Sequence, residues 1–179
     1  MTHTSRKTFG QLFQSVYKLG IGVEVGSEQG YNAVNICEHW KGELVCVDIW
    51  QDGKGFLEDF KKNTKLLNVY YKHCDSVSGA NLFKDGELDF VYIDDDHSYN
   101  GVKRSFEAWF PKVRKGGIVS GHDYAPLSRP NDCDGVRQFI DEYMAANPHV
   151  KMNFTTEDFY VGEREDLQGL EYQSWWFIK

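Results

Sequence analysis

Carboxylates and imidazoles are concentrated at two places in the sequence, each directly after a short apolar run. Residues 94–97 read Asp-Asp-Asp-His after the run 88–93, and His122-Asp123 follows the run 118–120. Carboxylate and imidazole groups transfer protons and also bind divalent cations. If the two runs are neighbouring parallel strands, these side chains meet at one edge of a sheet. The pattern predicts a site for proton transfer or metal-assisted chemistry.

A structural interpretation is available for part of this cluster. Asp96 precedes a helical pattern and would cap that helix, while Asp95 would be hydrated at the surface. This interpretation leaves Asp94, His97 and the His122-Asp123 pair as the candidates for chemistry.

A glycine loop follows the first predicted strand, where residues 26–30 read Gly-Ser-Glu-Gln-Gly. Glycines at such a turn let the backbone approach a ligand, and the helix that follows offers unpaired N–H groups. The spacing differs from the G-x-G-x-x-G of dinucleotide-binding folds. The alternative is an ordinary tight turn between a strand and a helix.

The next two predicted strands also end in polar residues. Asp48 lies about twenty residues beyond the loop, where an acidic side chain commonly accepts hydrogen bonds from ribose hydroxyls. Asp75 and Ser76 follow the third strand and suit the edge of an adenine ring. Together, these strand ends predict a crevice for an adenosine-containing cofactor.

Apolar runs that indicate strands alternate with helical patterns along the chain. The predicted strands are 22–25, 44–47, 69–71, 88–93, 118–120, 150–154 and 175–178, and the predicted helices are 31–40, 56–67, 77–83, 100–110 and 135–146. This alternation is typical of a parallel sheet with helices on both faces. Residues 157–170 are too polar for a helix, so we expect the last two strands to form an antiparallel hairpin.

Composition excludes several classes of protein. The chain has 179 residues, 41% hydrophobic and 15% aromatic, which predicts one domain over 1–179 with a helical segment over 1–20. A formal charge of −7 argues against a nucleic-acid partner. No apolar stretch approaches the roughly 18 residues of a membrane span, and the polar N-terminus lacks the apolar segment of a secretory signal. The four cysteines form no C-x-x-C pair, so a cytoplasmic protein with reduced thiols is expected.

The order of these motifs resembles the class I S-adenosylmethionine-dependent methyltransferases. The matching segments are Val-Glu-Val-Gly-Ser-x-x-Gly from 23, Val-Asp-Ile-Trp from 47, Cys-Asp-Ser from 74, Phe-Val-Tyr-Ile-Asp-Asp-Asp-His-Ser-Tyr from 90 and Gly-Gly-x-Val-Ser-Gly-His-Asp-Tyr from 116. More narrowly, the chain is similar to small bacterial and phage members with an IDxDHxY…GGxxxxHDY signature, distant relatives of catechol-type and macrolide-sugar O-methyltransferases. The resemblance implies a Rossmann-like α/β fold, with a seven-stranded sheet in the order 3-2-1-4-5-7-6 and one antiparallel strand.

The resemblance also implies which residues hold S-adenosylmethionine. Glu24, Gly26 and Ser27 would contact the methionine moiety, Asp48 the ribose, and Asp75 with Ser76 the adenine. The full set of implied cofactor contacts is Glu24, Gly26, Ser27, Gly30, Asp48, Ile49, Asp75, Ser76 and Asp94.

Two histidines are candidates for the base that methyl transfer requires. His97 is the first, because imidazole exchanges protons near neutral pH and the catechol-type relatives carry a lysine at the aligned position. His122 is the second.

Asp94, His122 and Asp123 align with the metal-binding Asp-Asp-Asn set of those relatives, which implies Mg²⁺ or Mn²⁺. In the alternative, Asp94 and Asp123 orient the methionine ammonium and His122 without an ion.

The leading prediction is a methyltransferase (EC 2.1.1.-) that methylates oxygen on a small-molecule or saccharide acceptor. Alternatives are an S-adenosylmethionine-binding module without catalysis, a metal-dependent hydrolase and an NAD-linked oxidoreductase. Because only residues 1–20 precede the first strand, we expect an open site, a large substrate, or closure by a second subunit of a homodimer. Candidates for lining the substrate site are Tyr31, Trp50, Tyr99, Tyr124 and the loop 128–132.

Overall fold

Seven strands form one sheet in the computed structural model, which describes residues 5–16, 20–51, 53–124, 134–156 and 172–179. The strands are β1 (Ile21–Val25), β2 (Glu43–Asp48), β3 (Val69–His73), β4 (Leu88–Ile93), β5 (Val113–Tyr124), β6 (Asn153–Phe154) and β7 (Gln173–Ile178). Their order is β3-β2-β1-β4-β5-β7-β6. Strands β1 to β5 are parallel, and β7 pairs antiparallel with both β5 and β6. The expected fold class, strand order and antiparallel ending are therefore confirmed.

The helices fall where the periodicity predicts them, with ends that differ by a few residues. They are α1 (Phe9–Val16), α2 (Tyr31–Cys37), α3 (Phe56–Thr64), α4 (Ser76–Ala80), α5 (Tyr99–Trp109) and α6 (Asp134–Ala146), with short 3-10 helices over Arg6–Thr8 and Phe110–Lys112. Helix α2 ends before Trp40. The indole N–H of Trp40 donates to the Glu43 carbonyl, and its ring packs on Phe90 as the chain turns into β2.

The predicted cap of helix α5 at Asp96 is wrong. Ser98 is the N-cap, because its hydroxyl accepts from the Gly101 N–H at 3.1 Å, the usual reach from cap to third residue. Asp96 instead accepts from the Ser98 N–H at 3.0 Å and stays exposed two residues before the cap.

Alternate residues of the central strands fill two separate apolar layers. Val91 and Ile93 of β4 face a layer with Phe106 and Trp109 of α5 and with Trp175 of β7. Phe90 and Tyr92 face the other layer, whose members include Phe9 and Phe13 of α1, Ile36 and Trp40. Because β4 is buried along its whole length, its last residues are held rigidly between the two layers.

Strand β5 is longer than the predicted segment 118–120. It begins at Val113 and passes through a register shift opposite Leu88 and Phe90, with Gly116 at φ +74°. The irregularity allows the Lys-Gly-Gly segment to remain in the strand. Both glycines therefore lie inside β5, and the strand ends at Tyr124.

The structure shows the state of three cysteines and the character of the described helices. Cys37, Cys46 and Cys74 are free thiols, and Cys133 lies outside the described residues. Among the helices in the described part of the chain, none has the length and apolar character needed to cross a membrane.

Replacement of Phe13 by alanine should lower the free energy of unfolding by about 3–5 kcal/mol. Phe13 is 1% exposed and its ring stacks on Phe90 with centroids 3.6 Å apart, so truncation leaves a cavity between α1 and the sheet. Urea denaturation measures the change. Leu66→Ala, at a side chain that is 93% exposed, is the matched control and should change stability by no more than about 0.5 kcal/mol. Equal stability of the two variants would contradict this packing.

Candidate functional site

The glycine loop after β1 lies against the end of β4. Gly26 has φ +83°, and its N–H donates to the Val47 carbonyl at 2.8 Å. A Cβ at Gly26 would collide with the backbone of Asp94 and Asp95. Only glycine therefore lets the two strand ends approach this closely, which places the loop directly beside the acidic cluster.

The same loop delivers the chain into helix α2. Gly30, at φ +80°, is the residue before the helix, and its N–H donates to the Ser27 carbonyl at 2.7 Å. A Cβ there would press on the Phe60 ring and on Thr64 of α3. The side chain of Ser27 is buried inside this turn.

Glu24 is a buried carboxylate beneath the loop, 1% exposed. Its Oε1 accepts from Asn32 Nδ2 at 2.7 Å, and its Oε2 accepts from the Cys46 thiol at 3.5 Å. Burial raises the pKa of Glu24, while the nearby Ser27 hydroxyl, the hydrogen bond from Asn32 and the charge of Arg6 oppose that rise. Asn32 was not singled out from the sequence, because nothing in a helical asparagine indicates that it faces a buried acid.

Asp48 is fixed by two backbone amides at the end of β2. Its Oδ2 accepts from the Glu28 N–H at 2.8 Å and its Oδ1 from the Trp50 N–H at 2.7 Å. Each carboxylate oxygen keeps further acceptor capacity, so the group can still accept from two ligand hydroxyls. Ile49 beside it is 53% exposed and offers apolar surface.

Trp50 does not line the substrate site as expected. It is 4% exposed, and its ring packs on Phe60 and Tyr71 while its N–H donates to the Glu28 carbonyl at 2.7 Å. Its aromatic surface is therefore used in the core between β2 and α3.

The two residues predicted to contact adenine have different environments. Asp75 caps helix α4 by accepting from the Ser78 N–H at 3.0 Å and the Ser78 hydroxyl at 2.6 Å, and these bonds lower its pKa. The Ser76 hydroxyl is turned inward, 2.9 Å from the Ser105 hydroxyl and 3.0 Å from Trp109 Nε1. Asp75 thus stays at the exposed rim, while the Ser76 hydroxyl is engaged by the protein.

Asp95 belongs to that inward network and is not simply hydrated. Its Oδ2 accepts from the Ser105 hydroxyl at 2.6 Å, and burial raises the pKa of the carboxyl group. The residue therefore ties the end of β4 to helix α5.

The Asp123 carboxylate lies between two imidazoles. Its Oδ2 is 2.9 Å from His97 Nε2, and its Oδ1 is 3.1 Å from His122 Nδ1. Asp123 is 9% exposed and has φ +59°, a left-handed conformation that is rare for a residue other than glycine. Burial alone would raise the pKa of Asp123, but the two histidines lower it well below its ordinary value. Asp123 is therefore the ionised acceptor of the cluster.

The group that converges differs from the predicted metal set in one member. One donor atom each from Asp94, His97 and Asp123 lies within 4.8 Å of the others. His122 is outside this group, because its Nδ1 faces Asp123 and its Nε2 is a buried atom with no hydrogen-bond partner among the described residues. The structure brings together His97 and Asp94, whose Oδ1 is 3.7 Å from His97 Nε2.

Arg6 enters this cluster from the N-terminal 3-10 helix. Its Nη2 donates to Asp94 Oδ2 at 2.8 Å, and its guanidinium lies 5.8 Å from the centroid of the Tyr92 ring. No motif in the sequence surrounds this arginine. The spacing of Phe9 and Phe13 could have predicted that the segment docks on the sheet, but not where the Arg6 side chain falls.

The remaining aromatic candidates divide between surface and helix α6. Tyr31 is 65% exposed beside the glycine loop. The Tyr99 hydroxyl donates to Glu142 at 2.6 Å and the Tyr124 hydroxyl to Asp141 at 2.8 Å, and burial together with Asp141 raises the pKa of Tyr124 to about 12. The loop 128–132 lies outside the described residues.

Comparison with known families identifies the family of the chain. Residues 23–124, more than half of the chain, match the family model described as a methyltransferase domain. The chain belongs to this methyltransferase family. The expected membership of the class I S-adenosylmethionine-dependent methyltransferases is therefore confirmed.

Solved structures of methyltransferases share the fold. An O-methyltransferase from Bacillus cereus in complex with SAH is 22% identical, with 97% of this chain and 80% of that chain covered and a TM-score of 0.69. The O-methyltransferase TomG from Streptomyces achromogenes, in complex with SAM, is 16% identical, with coverage of 97% and 79% and a TM-score of 0.72. An rRNA methylase from Streptococcus thermophilus is 9% identical, with coverage of 96% and 94% and a TM-score of 0.68.

One curated relative is much longer than this chain. The uncharacterized protein y4gI of Sinorhizobium fredii is 25% identical over 146 residues, which cover 74% of this chain and 16% of that protein. The chain therefore spans less than a fifth of the length of this relative.

Glu24→Gln should change the pH dependence of stability. Because burial raises the pKa of Glu24, the folded state holds its proton above pH values at which the unfolded state, with a pKa of about 4.3, releases it. The contribution of Glu24 to the free energy of unfolding is complete below about pH 4. It is lost as the pH rises through the pKa that Glu24 has in the folded state. The stability of the wild type relative to Glu24→Gln should therefore fall as the pH rises above about 4.

Denaturant titrations at four pH values would measure this difference. Glu43→Gln, at an exposed position of the neighbouring strand β2, is the control for the loss of one carboxylate. A wild-type-minus-variant difference for Glu24 that is constant with pH would contradict the burial of an ionisable group there.

Proposed function

We propose that the chain transfers a methyl group from S-adenosylmethionine to an oxygen of a small-molecule or saccharide-containing acceptor, with His97 as the general base. The observation that carries the proposal is the 2.9 Å contact between His97 Nε2 and Asp123 Oδ2 beside the glycine loop. A base held by a buried carboxylate is the arrangement that deprotonation of a hydroxyl requires.

The cofactor is proposed to lie across the ends of β1 and β2. Asp48 would hold the ribose hydroxyls, and residues 26–30 would pass beneath the methionine moiety. Asn32 Oδ1 is a buried acceptor that lacks a hydrogen-bond partner within the described residues, and it suits an ammonium group. The SAM and SAH complexes of the two O-methyltransferases with this fold support the assignment. When bound, the sulfonium supplies the methyl group and leaves as a thioether.

His97 acts through a defined nitrogen in this proposal. The ionised Asp123 accepts from Nε2–H, so the lone pair of the neutral ring is on Nδ1. Nδ1 is then the atom that takes the acceptor's hydroxyl proton as the oxygen attacks the methyl carbon. His97 keeps 37% of its side chain exposed, which leaves it accessible to an acceptor.

His122 is better suited to position Asp123 than to serve as the base. Its Nδ1 lies 3.1 Å from Asp123 Oδ1, and its side chain is only 10% exposed. Two N–H donors on opposite carboxylate oxygens would keep Asp123 ionised and fixed in orientation.

The arrangement does not fit a divalent ion. A metal would need the lone pair of His97 Nε2, the nitrogen that faces Asp123, and it would need Asp94, whose Oδ2 already accepts from Arg6. A single nitrogen also cannot hold a proton for Asp123 and ligate an ion at once. The proposed reaction therefore uses neither Mg²⁺ nor Mn²⁺. The metal-dependent hydrolase alternative is disfavoured for the same reason, because it needs a metal-bound water.

A small acceptor is favoured over RNA. The O-methyltransferase neighbours support this choice, and a formal charge of −7 would oppose binding to a phosphate backbone. Because an rRNA methylase shares the fold, methylation of rRNA but of no small hydroxyl compound would overturn this part of the proposal.

Asp48→Ala should weaken binding of S-adenosylhomocysteine at least tenfold. Hydrogen bonds to a charged group contribute about 1.5–3 kcal/mol each, and the variant removes the acceptor for the ribose. Isothermal titration calorimetry measures the affinity, and thermal melting checks that the variant is folded. Asp85→Ala, at an exposed acid that precedes β4, is the control. Unchanged affinity of a folded Asp48→Ala protein would remove Asp48 from the cofactor site.

His97→Ala should lower turnover about 10²–10⁴-fold and leave S-adenosylhomocysteine binding unchanged. Formation of S-adenosylhomocysteine with a panel of catechols and sugar hydroxyl compounds is the assay. His149→Ala, at an exposed histidine after α6, is the control and should match the wild type. If the variant turns over as fast as the wild type, His97 is not the base. If the wild type binds the cofactor and methylates nothing, the binding-module alternative replaces the proposed function.

A further inference from the structure

Asp94 already has a cationic partner supplied by the protein itself. Arg6 Nη2 lies 2.8 Å from Asp94 Oδ2, and the two side chains are 31% and 16% exposed. Burial alone lowers the pKa of Arg6, but the surrounding Tyr92, Asp94, Asp123 and Glu24 raise it, so the guanidinium remains charged. The positive charge of Arg6 is thus directed at the acidic centre of the site.

Packing of the N-terminal segment fixes the position of this arginine. The Phe9 ring contacts Tyr92 edge-on with centroids 5.3 Å apart, and Phe13 stacks on Phe90. Ser5 accepts from the Lys7 N–H at 3.2 Å and so caps the 3-10 helix that carries Arg6. The arginine therefore belongs to a docked element and not to a free end of the chain.

We propose that Arg6 is a positioning residue that takes the place of a divalent cation at Asp94. The inference rests on the proposed methyltransferase function and extends it, since it makes the reaction independent of added metal. A carboxylate oxygen that binds Mg²⁺ holds the ion at about 2.0–2.1 Å. The guanidinium of Arg6 on Asp94 Oδ2 would repel a divalent ion bound to Oδ1, the oxygen that faces His97, because the site is partly buried.

The pairing also explains how two acids can lie next to the base. Asp94 and Asp123 both face His97 Nε2, at 3.7 and 2.9 Å. Without a cation, two carboxylates at this distance would compete for the same N–H and would repel each other. Arg6 holds Asp94 through its other oxygen, so Asp123 keeps the hydrogen bond that sets the His97 tautomer.

Binding of Mn²⁺, followed by electron paramagnetic resonance, tests the proposal without any methyl transfer. Arg6→Gln removes the charge and exposes Asp94, so this variant should bind Mn²⁺ at least about tenfold more tightly than the wild type. Arg6→Lys retains the charge and should bind Mn²⁺ as weakly as the wild type. The double variant Arg6→Gln, Asp94→Asn should lose this increase in affinity for Mn²⁺. Arg104→Gln, at an exposed arginine 3.7 Å from Asp96, is the control and should show no gain.

Several results would overturn the proposal. They are tight Mn²⁺ binding by the wild type, tight binding by Arg6→Lys, and no gain in the Arg6→Gln protein when its melting curve shows that it is folded. A measurement on the wild type alone covers the case in which Arg6→Gln fails to fold: activity in excess chelator should equal activity in its absence, and loss of activity there would contradict the proposal. Because Mn²⁺ binding is measured without an acceptor, failure of the methyltransferase assay leaves the metal-binding result interpretable.

Discussion

The hydrogen bond between Asp123 and His97 is the interaction on which the proposed chemistry depends. It requires a carboxylate that is ionised although it is 9% exposed, on a residue held at φ +59°. Such a backbone conformation costs about 1–3 kcal/mol, and it persists because β5 is paired on both sides just before it. Two imidazoles on opposite oxygens offset the desolvation of the charge. Strain and burial at this point therefore fix the orientation of the His97 ring, the proposed base.

The fold positions the two halves of the proposed site, one for the cofactor and one for the acceptor, by different means. Backbone geometry fixes the cofactor side, where Gly26 passes against the Asp94 carbonyl and two amides hold Asp48. Charged side chains fix the acceptor side, where Arg6 and Asp123 hold Asp94 and His97. The cofactor side therefore tolerates few substitutions of its glycines, whereas the acceptor side depends on a balance of charges.

The sequence allowed the fold to be predicted closely, because alternating apolar runs and helical patterns reflect burial on both faces of a parallel sheet. It also located the polar strand ends, since parallel strands bring their carboxyl ends to one edge. It could not reveal Arg6, which is 88 residues from Asp94 along the chain and reaches it only through docking of α1. Nor could it show that His97 rather than His122 converges with Asp94 and Asp123, or that Ser98 rather than Asp96 caps helix α5, because side-chain direction decides both.

The tautomer of the neutral His97 ring decides whether its Nδ1 can accept a proton. Two-bond ¹⁵N–¹H correlation spectra of histidine-labelled protein, assigned with the His97→Ala variant, distinguish a proton on Nε2 from one on Nδ1. At a pH where the ring is neutral, the hydrogen bond to Asp123 predicts the Nε2–H tautomer in the wild type and loss of this preference in Asp123→Asn. A neutral His97 that carries its proton on Nδ1 would contradict it, because the nitrogen assigned as the base would then be unable to accept a proton.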